Sequence, residues 1–296
     1  MNCKLTCGDA SDLWPKPKKY ELSQEVQTFN PLNPKIEFHG LDDSQSHAWL
    51  KEIIDDNLDL LQQEGISSNP SEDSNLTIEL IWYDWDNDAT TLTVSLLTLQ
   101  SKQSKNDNTF QRMTNESYDL FIQSGPVVTI SASDYFGLRH GLDTVFQLMA
   151  FDDVLQKFII LEEATILDSP AFQHRGVLLD SSRNFMPLET IRNVIDGMSY
   201  TKLNVLHWHI TDTQSFPVAL ENDPITSKMV EYGAYSPDKV YNKTEIADLV
   251  TYATKKGVRI IPEFDAPESF RNDKLPRLSS LWKISDGVSS SDWSDF

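Results

Sequence analysis

Three apolar runs, each closed by an acidic residue, constrain the fold of this chain more than any other feature. Residues 174–180 read H-R-G-V-L-L-D, residues 203–212 read L-N-V-L-H-W-H-I-T-D, and residues 258–265 read V-R-I-I-P-E-F-D. Near-continuous apolar runs are what strands of a parallel sheet buried on both faces look like. The segments between them have helical spacing. Ile191, Val194, Ile195 and Met198 mark one helix face, and Ile246, Leu249, Val250 and Ala253 mark a second. Pro187 suits the first turn of the first helix. Asn242 or Thr244 could cap the second, and Gly257 follows it as a terminating glycine. Two successive β-α-β units follow. Their strands run the same way, so Asp180, Asp212, Glu263 and Asp265 gather at the carboxyl ends, where barrels of this kind keep their active sites.

Upstream the pattern changes. Residues 8–46 are rich in Pro, Asn and Ser and read as an irregular lead-in with one or two edge strands, one of them around 35–38. Leu50, Ile53, Ile54, Leu58 and Leu61 trace a helix over 47–65. Strands are expected at 76–82 and 92–99, then a polar stretch at 100–108, a hairpin at 118–123 and 127–132, and a helix over 135–149. Strands followed by a packing helix make an α+β domain that ends near Ser169-Pro170.

Charge narrows the partners. The net charge is −20, which repels phosphate backbones and argues against nucleic acid. No stretch approaches the roughly 20 apolar residues of a membrane-spanning helix. The only cysteines, Cys3 and Cys7, could close a small loop or remain free thiols. Met1 is followed by N-C-K-L-T-C rather than an apolar core, so no signal peptide is expected. Sequons at Asn75, Asn115 and Asn242 are candidate glycosylation sites at surface positions.

Among the polar residues of the runs, Asp180 with Arg183, and Glu263, read as charges paired inside the sheet. His207 and His209 share one strand face; with no third ligand at recognisable spacing, they read as pocket-shaping hydrogen-bonding residues rather than a zinc site. Trp208 points the other way, into the core. Asp212 stands just past its strand, where a catalytic or substrate-orienting carboxylate belongs.

H-R-G-V-L-L-D-S-S-R-N-F, L-N-V-L-H-W-H-I-T-D-T-Q-S-F-P and I-I-P-E-F-D-A-P resemble the first three barrel strands of family 20 glycoside hydrolases, the β-N-acetylhexosaminidases. E-S-Y-D-L-F-I and Y-F-G-L-R-H-G-L-D-T-V-F-Q-L are similar to the end of that family's N-terminal domain. C-K-L-T-C-G with L-W-P-K-P resembles its arthropod chitooligosaccharide-degrading and N-glycan-trimming members. The resemblance implies an α/β protein: an N-terminal α+β, zincin-like domain, then the first three β/α units of an incomplete TIM barrel. The expected layout is a lead-in at 1–46, the α+β domain at 47–169, a partial catalytic barrel at 170–267 and a diverged, disordered tail at 268–296. It also implies release of terminal N-acetylglucosamine or N-acetylgalactosamine by a substrate-assisted retaining mechanism. Arg175 would bind sugar hydroxyls, Asp212 would join a proton relay, and His209 would shape the pocket. No cofactor or metal is implied. Full-length relatives are expected to be homodimers in an extracellular, lysosomal or membrane-associated setting. The sequence departs from the family at Glu268 and Ser269, where the relay histidine is expected, and it holds no Asp-Glu pair. A truncated, inactive chain is therefore expected, with weak carbohydrate binding as the alternative.

Overall fold

A computed structural model describes Leu5 and residues 13–40, 43–64, 73–82, 114–219 and 224–265. Cys3, Cys7, the strand expected at 92–99, the polar stretch at 100–108, Gly65, Glu268, Ser269 and the tail lie outside the described residues. The chain divides into two compact units, Met1–Gln173 and His174–Phe296.

The first unit is built on an eight-stranded sheet. Its strands are β1 (Lys19–Leu22), β2 (Val26–His39), β3 (Asn75–Trp82), β4 (Tyr118–Gln123), β5 (Val127–Ala132), β6 (Met149–Asp152), β7 (Lys157–Leu161) and β8 (Ala164–Asp168). Their order is β1-β8-β4-β5-β3-β2-β7-β6. Alternate residues of β3, β4 and β5 are buried, and that period of two gives the sheet one continuous core face. Two helices, α1 (Ser44–Glu64) and α2 (Tyr135–Gln147), contribute to this core, α1 through Leu50, Ile53, Ile54 and Leu58. Helix α2 comes unusually close to its strands. A Cβ on Gly137 would lie 2.4 Å from the Ser117 carbonyl oxygen, and one on Gly141 would lie 2.4 Å from Ile130 Cγ2. Only glycine fits there, at a helix-propensity cost of about 1 kcal/mol each.

Two expectations change here. The segment at 35–38 is not an edge, because β2 pairs with β3 through Lys35–His39 and with β7 through Val26–Phe29. Pro31 and Pro34 lie where its register shifts, and prolines are tolerated at such irregularities. Met149 does not continue α2. Leu148 caps that helix, and Met149 opens the β6–β7 hairpin, whose turn is held by the Val154 and Leu155 amides donating to Asp152 Oδ1, each at 2.9 Å.

The second unit carries a three-stranded parallel sheet in the order β13-β10-β9, made of β9 (Gly176–Asp180), β10 (Val205–Thr211) and β13 (Arg259–Phe264). Helix α3 (Leu188–Tyr200) connects β9 to β10. Between β10 and β13 come a short parallel pair, β11 (Val218–Ala219) and β12 (Tyr241–Asn242), helix α4 (Pro224–Gly233) and helix α5 (Lys243–Lys255). Asn242 is the cap of α5: its Oδ1 accepts from the Glu245 amide at 2.9 Å, and Glu245 Oε2 accepts from the Asn242 amide at 2.9 Å, a capping box. Gly257 has φ 77°, as a helix-ending glycine requires. Pro187 is the cap residue of α3, one position earlier than expected, with no side-chain cap bond.

The two faces of this sheet differ. Leu206, Trp208 and Ile210 enter a core with Ile191, Ile195 and Met198 of α3 and Ile246, Leu249 and Ala253 of α5. Leu179 and Ile260 pack against the same core. The opposite face carries two in-register rows, Leu178-His207-Ile261 and Asp180-His209-Glu263. Leu178 is 57% exposed and Ile261 38%, so that face is largely uncovered.

Candidate active site

The polar end of the uncovered face is laid down by register. Because β9, β10 and β13 are parallel and paired in phase, Asp180, His209 and Glu263 fall in one row beside the carboxyl ends of the strands. Just beyond the middle strand the chain makes a tight turn, in which Asp212 and Ser215 exchange backbone hydrogen bonds of 3.1 Å. That turn fixes the backbone of Asp212 at the end of the row.

Asp212 is held from three directions and is only 7% exposed. The Thr213 amide donates to its Oδ1 at 2.7 Å. Arg183 Nη2 donates to its Oδ2 at 2.7 Å, and His209 Nε2 lies 3.5 Å from the same oxygen, an ion-pair separation rather than a formed hydrogen bond. The Thr213 amide does most to hold the Asp212 carboxyl below the usual range. Burial opposes this, while His209 and Arg183 add to it. Asp212 is thus a fixed, ionised acceptor.

Arg183 also pairs with Asp180 Oδ2 at 2.7 Å, while Asp180 Oδ1 accepts from the amides of Ser182 and Arg183. The pairing of Asp180 with Arg183 is present; its extension to Asp212 is a further link that spans β9 and β10. Tyr235 donates to the Arg183 carbonyl at 2.8 Å and steadies that loop. Beneath it, Trp208 Nε1 donates to the buried Ser181 Oγ at 2.8 Å, and the buried Ser182 hydroxyl donates to the Ser215 carbonyl at 3.0 Å.

On the β13 side, Glu263 Oε2 faces both histidines of β10: His209 Nδ1 at 3.2 Å, and His207 Nε2 in a short hydrogen bond. His209, Glu263 and Asp265 bring potential ligand atoms within 4.8 Å of one another. One nitrogen and two carboxylates could hold a divalent ion, but His209 Nδ1 is already turned onto Glu263, where a proton serves the same purpose.

Arg175 is at the other end of the sheet. Its Nε donates to the Lys202 carbonyl at 2.7 Å, its amide donates to Asn204 Oδ1 at 2.9 Å, and its carbonyl accepts from the amides of Asn204 and Val205. At about 3.3 Å per residue, the backbone of Arg175 lies roughly 16 Å along the strand from Asp180. The structure therefore gathers Asp180, Arg183, His209, Asp212 and Glu263, while these contacts tie Arg175 to the amino ends of β9 and β10.

The three sequon asparagines are exposed. Asn75 opens β3. Asn115 Oδ1 accepts from the Ser117 amide at 3.2 Å, and its Nδ2 donates to Ser133 Oγ at 3.0 Å. Asn242 is committed through Oδ1 to the cap of α5.

Two family descriptions match this chain side by side: "beta-acetyl hexosaminidase like" over residues 13–148 and "Glycosyl hydrolase family 20, catalytic domain" over residues 172–289. A chitooligosaccharidolytic beta-N-acetylglucosaminidase of Bombyx mori is 36% identical over 279 residues, covering 90% of this chain and 41% of its own. Beta-hexosaminidase subunit beta of Rattus norvegicus is 44% identical over 154 residues, covering 52% of this chain and 28% of its own. The chain thus spans less than half the length of these curated relatives. Among solved structures, the chitobiase of Flavobacterium johnsoniae superposes with a TM-score of 0.65 at 24% identity, over 92% of this chain and 37% of that one, a likeness of fold. The in-register acidic row beyond three parallel strands and matches running through both units lead to one conclusion: the chain belongs to glycosyl hydrolase family 20.

Proposed function

We propose that the uncovered end of the β9-β10-β13 sheet is one wall of the sugar pocket of a β-N-acetylhexosaminidase acting on glycans or chitooligosaccharides that end in N-acetylglucosamine or N-acetylgalactosamine. In this reading, the region around 47–169 is the α+β, zincin-like domain, and 170–267 supplies the first β/α units of a TIM barrel. The observation that carries the reading is Asp212: an ionised carboxylate fixed by Thr213, Arg183 and His209 beyond the carboxyl end of a parallel strand. It accepts a hydrogen bond from the sugar or its acetamido group and takes part in the proton relay. The resemblance gives Arg175 to the sugar hydroxyls, although its backbone lies at the amino ends of β9 and β10, roughly 16 Å along the strand from Asp180, and His209 lines the floor. The negative charge and exposed sequons suit an extracellular or lysosomal setting. No described helix is long and apolar enough to cross a membrane.

The 296 residues contain no Asp-Glu dipeptide, the arrangement the mechanism uses as orienting carboxylate and acid. General acid catalysis is worth about 10²–10⁴-fold, so this chain is expected to show no hydrolysis of an aryl N-acetylglucosaminide above a mock-purified control. The same observation favours a second reading, a sugar-binding chain without turnover, for which calorimetry would give millimolar or tighter binding of N-acetylglucosamine. The pocket reading is tested in a full-length relative carrying the same segments. Arg175→Ala there should cost roughly 1.5–3 kcal/mol of transition-state binding, about one to two powers of ten in kcat/KM. Unchanged kcat/KM with a lowered Tm would make Arg175 a brace between strands.

A further inference from the structure

His209 is 6% exposed and sits among acids. In its own row, Asp180 of β9 stands on one side and Glu263 of β13 on the other. Its Nδ1 is 3.2 Å from Glu263 Oε2, and its Nε2 is 3.5 Å from Asp212 Oδ2. Both ring nitrogens therefore face oxygens that can only accept while ionised. A neutral imidazole has one N–H and one lone pair, so either tautomer would aim a lone pair at a carboxylate. The charge balance points the same way. Asp180, Asp212 and Glu263 converge here, Asp265 lies beside Glu263, and the Arg183 guanidinium is shared between Asp180 and Asp212. His207 meets Glu263 from the neighbouring row.

We propose that His209 is a positioning residue: a doubly protonated ring bridging Glu263 and Asp212 that anchors Asp212 as an ionised acceptor at the pocket mouth. Burial alone would discharge the ring. The hydrogen bond and charge of Glu263, with Asp180 and Asp212, outweigh burial and raise its proton affinity. The bridge links β13 to the loop after β10, and so couples the carboxylate's position to strand pairing rather than to loop conformation. Its role in a sugar pocket rests on the function proposed above; the bridge itself is a property of this chain and is measured without sugar.

The test uses the 296-residue chain labelled with ¹⁵N-histidine. Imidazole ¹H–¹⁵N spectra across a pH series should show His209 with both nitrogens protonated at pH 7 and titrating above an ordinary histidine. Glu263→Gln and Asp212→Asn should each lower that midpoint, and His209→Asn should raise the midpoint of the Asp212 carboxyl in ¹³C spectra. Histidine C2 hydrogen exchange read by mass spectrometry gives the His209 midpoint at micromolar concentration, which serves if a variant associates at NMR concentrations. A single neutral tautomer at pH 7, or a midpoint indifferent to both substitutions, would leave His209 a packed ring and overturn the bridge. So would stoichiometric displacement of the ring protons by Zn²⁺, which would make the cluster a metal site. If the bridge is found and no sugar binds, the bridge stands and the pocket reading fails.

Discussion

The two larger sheets among the described residues use their faces differently. In the first unit, β3, β4 and β5 bury alternate residues beneath α2, and charges that enter the interior find partners there: Arg139 with Asp143 at 3.0 Å, and His140 with Glu116 at 2.9 Å. In the second unit, one face packs on α3 and α5, while the other carries an apolar row that remains largely exposed and an acidic row that forms the candidate site. Titrations of interior and site groups show both effects, with Tyr241 of the second unit raised by burial and Asp152 of the first lowered by backbone amides. Burial pushes the Tyr118 and Tyr135 hydroxyls and the Asp119 carboxyl up, whereas partners oppose burial at Asp212 and His209. The first unit is organised for packing, and the second places its chemistry where packing stops.

The sharpest way to test that contrast is to damage the covered face of the second sheet. Trp208 is fully buried, stacks edge-on against Tyr241 with centroids 5.1 Å apart, and donates to Ser181. Trp208→Ala should cost about 3–5 kcal/mol and unfold the second unit selectively. Hydrogen exchange measured peptide by peptide should show loss of protection in β9, β10 and β13 with β3–β5 unchanged.

The matching test in the first unit adds an atom instead of removing many. Gly137→Ala would gain helix propensity in α2, yet its Cβ meets the Ser117 backbone carbonyl, which cannot swing aside. A net loss of about 1–3 kcal/mol is expected in denaturant melts. Gly141→Ala meets the Ile130 Cγ2 methyl, held one bond from a branched Cβ in the core, and should cost a similar amount. A stabilised Gly137→Ala variant would show that α2 packs less tightly than described.

Smaller again is the capping box. Asn242→Ala removes the acceptor for the Glu245 amide and should cost about 1 kcal/mol, while Asn242→Asp should retain most of it. The sequence narrowed the cap to Asn242 or Thr244 without the reciprocal Glu245 bond, and it showed the faces of α3 and α5, because helix periodicity is local. The β4–β5 hairpin was legible for the same reason, through S-G-P between two alternating runs. The missed features depend on distant partners. β2 reads as irregular because Pro31 and Pro34 interrupt it, and its place inside the sheet is decided by β3 and β7. Met149 suited the helix face by spacing, but it pairs with Ile160 in β7. The shared clamp of Arg183 joins residues 29 positions apart, and only the register of β9 on β10 reveals it.

Acidity acts on the candidate site from two sides. The folded His209 proton affinity is raised, so its contribution is fully present below the ordinary histidine value and fades as pH rises through the raised one. Asp212 is lowered, so its contribution is fully present above the ordinary carboxyl value and fades as pH falls through the lowered one. The second unit should therefore be most stable between those two ordinary values, in mildly acid solution. The raised tyrosines, Tyr118 and Tyr135 of the first unit and Tyr241 of the second, act only in alkali, where their contribution fades as pH rises. Peptide-level hydrogen exchange at matched intrinsic rates would check this; a neutral-to-alkaline optimum for β9–β10 peptides would contradict it.

The smallest expected effect bears hardest on the comparison. Leu178 and Leu179 are adjacent in β9 but point to opposite faces: Leu179 packs against the α3–α5 core, and Leu178 is 57% exposed beside His207. Substituting an exposed side chain away from special features usually changes stability by no more than about 0.5 kcal/mol. Leu178→Ser should therefore be close to neutral in urea melts, while Leu179→Ser, which puts a hydroxyl against that core, should be clearly destabilising. If the order reverses, the apolar row of Leu178 and Ile261 is covered in solution. The face bearing the candidate site would then be an interior, and the contrast between the two sheets would disappear.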